Sequence, residues 1–288
     1  MATTEPAPGA EPDYEPDEGH GPAYDSTHIY TTFADMAPLT EQLQAVFGGE
    51  VKTYGELNIC PQPSLSVVSV LLSPYGLLSL FGFSTPIPYP FGQDKHGYRI
   101  RRRDEMIGRA TEAGLDFAVA PFDDLGGLQS IVRLPGGSAL QFYEPPAEMG
   151  FPELTHIPEA RIYLGPLTID PFLAAFTTLT RGTVQTDDPV ADGAEVGMPD
   201  TTIRRVTYES GYGRLLVLET NGHQPYPYGW DFTGFVVDDL TATLATATAA
   251  GAQVVADPHT ANGRTSAMVQ FLGGFVAEIH QVSADAPA

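Results

Sequence analysis

The sequence predicts an α+β chain of four β-α-β-β-β units arranged as two copies of a pair. Three observations lead there. The stretch PIPYPFGQDKHGYRI, starting at Pro86, returns as HQPYPYGWDFTGFVV starting at His223, an offset of 137 (223 − 86). The same offset lays Ser73–Glu144 on Ser210–Gln281 without a gap, and 19 of those 72 paired positions are identical. Unrelated sequences would share roughly 5, so the offset reads as an internal duplication. Each copy also alternates short β-branched or aromatic runs with helical segments, the pattern of an α+β fold.

Taken in order, residues 1–26 carry seven carboxylates and no Lys or Arg. Such an acidic, Pro-rich leader buries too little apolar surface to offset its ordering entropy and is expected to be disordered. The first copy is assigned residues 27–147. It opens with a strand at Ser26–Phe33 and a helix capped by Asp35, with Leu39, Leu43 and Phe47 on one face and a stop at Gly48-Gly49. Apolar runs Ser64–Ser73 and Leu77–Phe83 follow, around the turn Pro74-Tyr75-Gly76. A second unit has a strand at Gly97–Ile100, a helix across Asp104–Ala113, and strands Phe117–Ala120, Ser130–Leu134 and Ala139–Tyr143.

Residues 148–157 are read as a linker and 158–283 as the second copy, with 284–288 a tail. Its third unit has a strand at Arg161–Ile169, a helix near Pro171–Leu179 and strands Ile203–Glu209 and Arg214–Glu219. The Asp-, Gly- and Pro-rich stretch Gly182–Asp200 is too long for an ordinary connection and is expected to be disordered or a lid. The fourth unit has strand Gly234–Val237, helix Leu240–Ala250 and a closing strand Phe275–His280.

A formal charge of −22 argues against nucleic acid as a partner, because phosphate binding needs clustered cations. The one basic run, Arg99–Arg103, reads as a strand end and turn. Cys60 stands alone, with no cation nearby to lower its pKa, so it forms no disulfide within the chain and reads as an inert buried thiol. There is no signal-peptide pattern and no apolar run long enough for a bilayer, so no membrane partner is expected and the compartment is read as cytoplasmic. A monomer or homodimer is expected.

Three stretches resemble the vicinal oxygen chelate superfamily, which includes glyoxalases, bleomycin-resistance proteins and extradiol dioxygenases. They are THIYTTFADMAPL, GFVVDDLTATLATATAAGAQVVADP and ANGRTSAMVQFLGGFVAEIHQ. The resemblance covers about residues 27–283. It implies two tandem glyoxalase/bleomycin-resistance-like repeats, each curled into a half-open barrel around a divalent ion, with ligands on the first and last strand of each unit. Carried across, those positions are His28 and Ser79, Lys95 (His96 beside it) and Gln141, Tyr163 and Leu216, and Phe232 and Glu278. Only His28 and Glu278 are ligand types there, and they lie in different copies. A catalytic ion usually takes at least three protein ligands, so binding of Fe, Mn, Zn or Ni is expected to be weak or absent. Pairing of units one and four, or recruitment of His96, His223 or His280, is the route to a fuller site.

His28 and Glu278 are therefore the catalytic and metal candidates. His28 can transfer protons near neutral pH or ligate, and Glu278 is a carboxylate in an apolar strand that needs a partner if it faces inward. His280, two residues on, shares its face. Gln141 matches Glu278 in the duplication and would bind by hydrogen bonds, while Trp230 and Phe232 are unshared aromatics able to line a ligand pocket. Two functions remain open. One is a small-molecule enzyme of the lyase, isomerase or dioxygenase kind acting on an oxygenated or aromatic metabolite. The other is a non-catalytic protein that sequesters a drug or metabolite.

Overall fold

Local capping and strand pairing fix where each element begins. A computed structural model describes residues 27–57, 64–88, 96–100, 102–124, 127–144 and 154–283. Cys60, Tyr89, Phe91, Asp94, Lys95, the leader and the tail lie outside them. The first unit runs β1 (Thr27–Thr32), α1 (Phe33–Phe47), β2 (Glu50–Leu57), β3 (Ser66–Ser73) and β4 (Gly76–Phe83). Its helix starts earlier than expected. Thr32, not Asp35, is the cap: its Oγ1 accepts from the Asp35 N–H at 3.2 Å and donates to Asp35 Oδ2 at 2.8 Å. Thr32 Oγ1 thus takes up one free N–H of the first turn while the Asp35 carboxylate orients its hydroxyl. The helix ends at Gly48, whose φ of 65° suits a residue without Cβ.

The second unit runs β5 (His96–Arg99), α2 (Arg103–Glu112), β6 (Asp116–Asp124), β7 (Gly127–Arg133) and β8 (Ala139–Tyr143). The third has β9 (Glu159–Leu164), α3 (Ile169–Thr180), β10 (Thr183–Asp192), β11 (Thr202–Ser210) and β12 (Gly213–Glu219). The fourth has β13 (Phe232–Val236), α4 (Leu240–Ala249), β14 (Gln253–Ala261), β15 (Arg264–Gln270) and β16 (Val276–Val282). Elements recur at the offset found in the sequence: α4 begins 137 residues after α2 (240 − 103) and β15 begins 137 after β7 (264 − 127).

The stretch Gly182–Asp200 is not a loop. Thr183–Asp192 is β10, laddered antiparallel to β11, and Gly193–Val196 forms a short 3-10 turn. Pro189 falls within the break in register between Asp188 and Ala191, where a strand tolerates it. Nearly every residue of this edge strand is exposed, so no apolar alternation marked it.

Within each unit the last strand pairs parallel with the first, giving the orders β1-β4-β3-β2 and β5-β8-β7-β6 in the first half. In the second half β13 also ladders antiparallel with β9, and one eight-stranded sheet results, β10-β11-β12-β9-β13-β16-β15-β14. Its two edges meet. The Asp192 N–H donates to Asn262 Oδ1 at 2.9 Å, and Asn262 Nδ2 donates to Asp192 O at 3.0 Å.

Strand alternation sends one face of every sheet to a shared core and the other into a barrel. The cores cross between halves. Ile29, Leu39, Leu43 and Phe47 of unit one pack with Phe235, Leu240, Ala277 and Ile279 of unit four, and the Phe47 and Phe235 rings lie 4.6 Å apart. Units two and three share the other core, with α2 against α3. Each buried Leu or Phe contributes about 1.5–3 kcal/mol. No helix among the described residues is long and apolar enough to cross a membrane.

Candidate functional site

Because Ile29, Ala277 and Ile279 face the shared core, their neighbours His28, Glu278 and His280 must face away from it, on opposite sides. Pairing of units one and four therefore separates His28 from Glu278. The strand ladders also correct the expected correspondence. His28 pairs with Ser79, and Leu216, which lies 137 residues beyond Ser79 (216 − 79), pairs with Arg161 rather than with Tyr163. The residue matching His28 in the second half is thus Arg161, and Tyr163 matches Tyr30.

In the first half-barrel Gln141 gathers neutral partners, and Arg99, paired with Tyr143 in the ladder, is buried as well. Gln141 Nε2 donates to Gln129 Oε1 at 2.8 Å, which orients the amide. Gln141 Oε1 then accepts from Tyr30 Oη at 3.2 Å and faces His28 Nδ1 at 3.2 Å. That oxygen can only accept, so Nδ1 is the donor in this contact. The rings of Phe81 and Tyr143 stand 5.3 and 5.9 Å from His28.

The second half-barrel sets a charged cluster beside an apolar one that includes Leu216, Phe232 and Met268. Glu159 and Arg161 on β9 share a face with Tyr163, and Gly234 of β13 pairs with both Glu159 and Glu278. Gly234 must lack a side chain, since a Cβ there would stand 2.8 Å from Glu278 Oε2 and 3.3 Å from Arg161 Cδ. Arg161 Nη1 lies 3.2 Å from Glu195 Oε1 and 3.6 Å from both Glu159 Oε1 and Glu278 Oε1. Arg205 Nε donates to Glu195 Oε2 at 2.7 Å, Arg264 pairs with Glu159, and His280 Nδ1 lies 2.6 Å from Glu278 Oε2. Asn262 Nδ2 donates to Glu195 Oε2 at 2.6 Å, joining the edge clasp to this network.

Burial alone would raise all three carboxyls. The surrounding groups outweigh it: Arg264 first at Glu159, Arg161 first at Glu195 and His280 first at Glu278. Glu195 is held at about 2, and Glu159 and Glu278 also lie below the ordinary range. The same charges outweigh burial at Arg161, whose proton is held more tightly still. Burial pushes the Tyr163 hydroxyl up to about 12, against the pull of Arg161.

Glu159, Glu278 and His280 offer donor atoms all within 4.8 Å of one another, a set able to hold a divalent ion. The surroundings do not suit one. Three carboxylates and three guanidinium groups already cancel, and a further double positive charge in this closed space would lack a counter-charge. As they stand, these residues do not fit a resident metal.

A cleft of about 720 Å³ opens where the half-barrels meet. Tyr30, His96, Tyr163, Trp230, Asp231 and Phe232 are among its lining residues. Trp230 is 66 % exposed and Phe232 is buried. Asp231 accepts from Ser138 Oγ at 2.7 Å. Protein crowding pushes its carboxyl up to about 6, opposed by bonds from Ser138 and the Tyr163 backbone. Water reaches the residue through the cleft, and that access tempers the shift.

The candidates from sequence thus separate into three places. His28 and Gln141 meet in the first half-barrel, Glu278 and His280 in the second, and His96, Trp230 and Phe232 at the cleft. His223 is exposed in the connection before β13, with its backbone N–H on Asn221. Sequence reading missed Arg161, Glu195, Arg205, Arg264 and Asp231. For Arg161 a signal existed: it sits between Ala160 and Ile162 in an apolar strand, just as Glu278 sits between Ala277 and Ile279.

No family model matches the sequence, and no curated protein matches it. Solved structures do. A triple mutant of 4-hydroxymandelate synthase from Streptomyces coelicolor aligns over 93 % of this chain and 94 % of its own, with TM-score 0.58 and 11 % identity. The Mn(II)-bound glyoxalase from Novosphingobium aromaticivorans covers 94 % and 88 % at TM-score 0.54 and 13 % identity. The 2,3-dioxygenase LapB from Pseudomonas sp. KL28 covers 93 % of each chain at TM-score 0.53 and 10 % identity. All three are vicinal oxygen chelate enzymes, and at these identities the likeness is one of fold. The fold of this chain is that of the vicinal oxygen chelate superfamily.

Proposed function

We propose that the chain is a small-molecule-binding protein whose ligand, an oxygenated or aromatic compound, occupies the cleft between the half-barrels. The observation that carries this reading is the cleft itself, with the exposed ring of Trp230 beside Tyr30, Tyr163 and Phe232. Aromatic walls with a few polar groups are what such ligands require. His28 and Glu278, the pair on which an enzymatic reading first rested, face separate interiors, and each is bonded to a neighbour there.

Trp230 is the only tryptophan of the chain, so its fluorescence reports the cleft directly. Titration with a panel of phenols, catechols and aryl hydroxy acids should blue-shift its emission and shield it from iodide, with Trp230→Ala weakening binding measured by calorimetry. A panel that produces neither heat nor shielding would remove the reading.

A second reading is favoured by one observation, the carboxyl of Asp231 at the cleft with its affinity for protons raised. A general base working near neutral pH needs that property, and His96 shares the lining. A proton-transfer reaction of the isomerase or lyase kind would then show a rate that rises through a titration near 6 and is abolished in Asp231→Asn. A flat pH profile, or activity kept in that variant, rejects it.

A further inference from the structure

We infer that Arg161 is a built-in cation that keeps a latent metal site closed, the site being formed by Glu159, Glu278 and His280 in the second half-barrel. The inference concerns a different place from the cleft and does not rest on what binds there. Four observations converge on it. The three donor groups already lie within 4.8 Å of one another. Glu278 Oε1 is fully buried and accepts no hydrogen bond, although Arg161 and Arg264 stand 3.6 and 3.9 Å away. Its lone pairs are attracted but unsaturated, the condition of a ligand atom awaiting a closer cation.

The third observation is steric. The stem of Arg161 lies over Gly234, where any Cβ would stand 3.3 Å from Arg161 Cδ. The empty face of Gly234 is thus shared by the Glu278 carboxylate and the stems of Glu159 and Arg161, which lets the guanidinium stand among the donor groups. The fourth is electrostatic. The formal charges of Glu159, Glu195 and Glu278 are balanced by Arg161, Arg205 and Arg264. Removing one guanidinium leaves a net negative cluster that a divalent ion would reverse, whereas the intact cluster would be left doubly positive. Arg161 also occupies the position matched by His28 in the first half, so an imidazole at 161 has a precedent within the same chain.

The test uses the full-length chain and MnCl2 alone, read by equilibrium dialysis with elemental analysis and by thermal melting. The wild type should take up no stoichiometric Mn²⁺, and its melting temperature should not move with Mn²⁺ or EDTA. Arg161→His should bind one Mn²⁺ per chain about 100-fold more tightly than the wild type and melt higher with the ion than without. Glu278→Gln added to it should abolish the gain. Arg161→Met, which removes the charge without supplying a donor, should gain more weakly. One tightly held ion in the wild type, or a rise in its melting temperature with Mn²⁺, overturns the inference whether or not the variants fold. A folded Arg161→His that binds no ion does so as well.

Discussion

At matched backbone positions the two half-barrels hold opposite chemistries. The first places His28, Tyr30, Gln141 and Tyr143 where the second places Arg161, Tyr163, Glu278 and His280. The Gln141 amide meets neutral partners, whereas the matching Glu278 meets an imidazole and two guanidiniums. Several residues shared by both copies lie at turns and helix stops, such as Gly114 with Gly251 and Gly136-Gly137 with Gly273-Gly274. The backbone demands those glycines, whereas the interior demands only that its polar groups be mutually satisfied.

The sharpest way to break the comparison is to truncate its matched pair. Glu278→Ala leaves Arg161 and Arg264 short of a counter-charge and should cost about 3–5 kcal/mol in urea unfolding. Gln141→Ala removes the contacts to Gln129, Tyr30 and His28 and should cost about 1–3 kcal/mol. Equal losses would show that the charged network is no more than packing.

Acid should separate the halves next. The carboxyls of Glu159, Glu195 and Glu278 sit lower folded than unfolded. Their contribution is therefore complete above the unfolded value near 4.5 and is lost as pH falls toward the folded one, about 2 for Glu195. Hydrogen exchange between pH 5 and 2.5 should rise in β9, β13 and β16 before it rises in β1 and β8. Simultaneous loss contradicts the assignment of the charges to one side.

A smaller effect tests the edge clasp. Asn262 has a φ of 48° and bonds both Asp192 and Glu195, so Asn262→Ala should cost about 1–2 kcal/mol and speed exchange in β10 and β14. Trp230→Ala, at an exposed side chain, should change stability by less than about 0.5 kcal/mol. A larger loss would move Trp230 from the cleft wall to the scaffold.

How far the sequence could be read follows from the same contrast. Elements with apolar periodicity, such as β3, β4, α4 and β16, stand within a few residues of their expected bounds, because burial on one face writes itself into spacing. β10 left no such trace, being an exposed edge strand held by its ladder to β11. The apolar flanks of Glu278 leave it facing either the barrel or solvent, and it is the resemblance in fold that implies the inward side. The partners of Glu278 were not legible, since Glu195, Arg205 and Arg264 come from distant segments and each alone reads as a surface charge.

The crossing of the two cores has a consequence for modularity. Unit one completes its apolar face only against unit four, and unit two only against unit three. A cut in the connection after Tyr143 would therefore leave each repeat with two bare apolar flanks, and expressed singly each should aggregate or pair with itself. Mixed together, the fragments should find each other and restore one body. What the sequence repeats is accordingly not what is expected to fold alone: the repeating segment forms one half-barrel, while each core is built from both repeats.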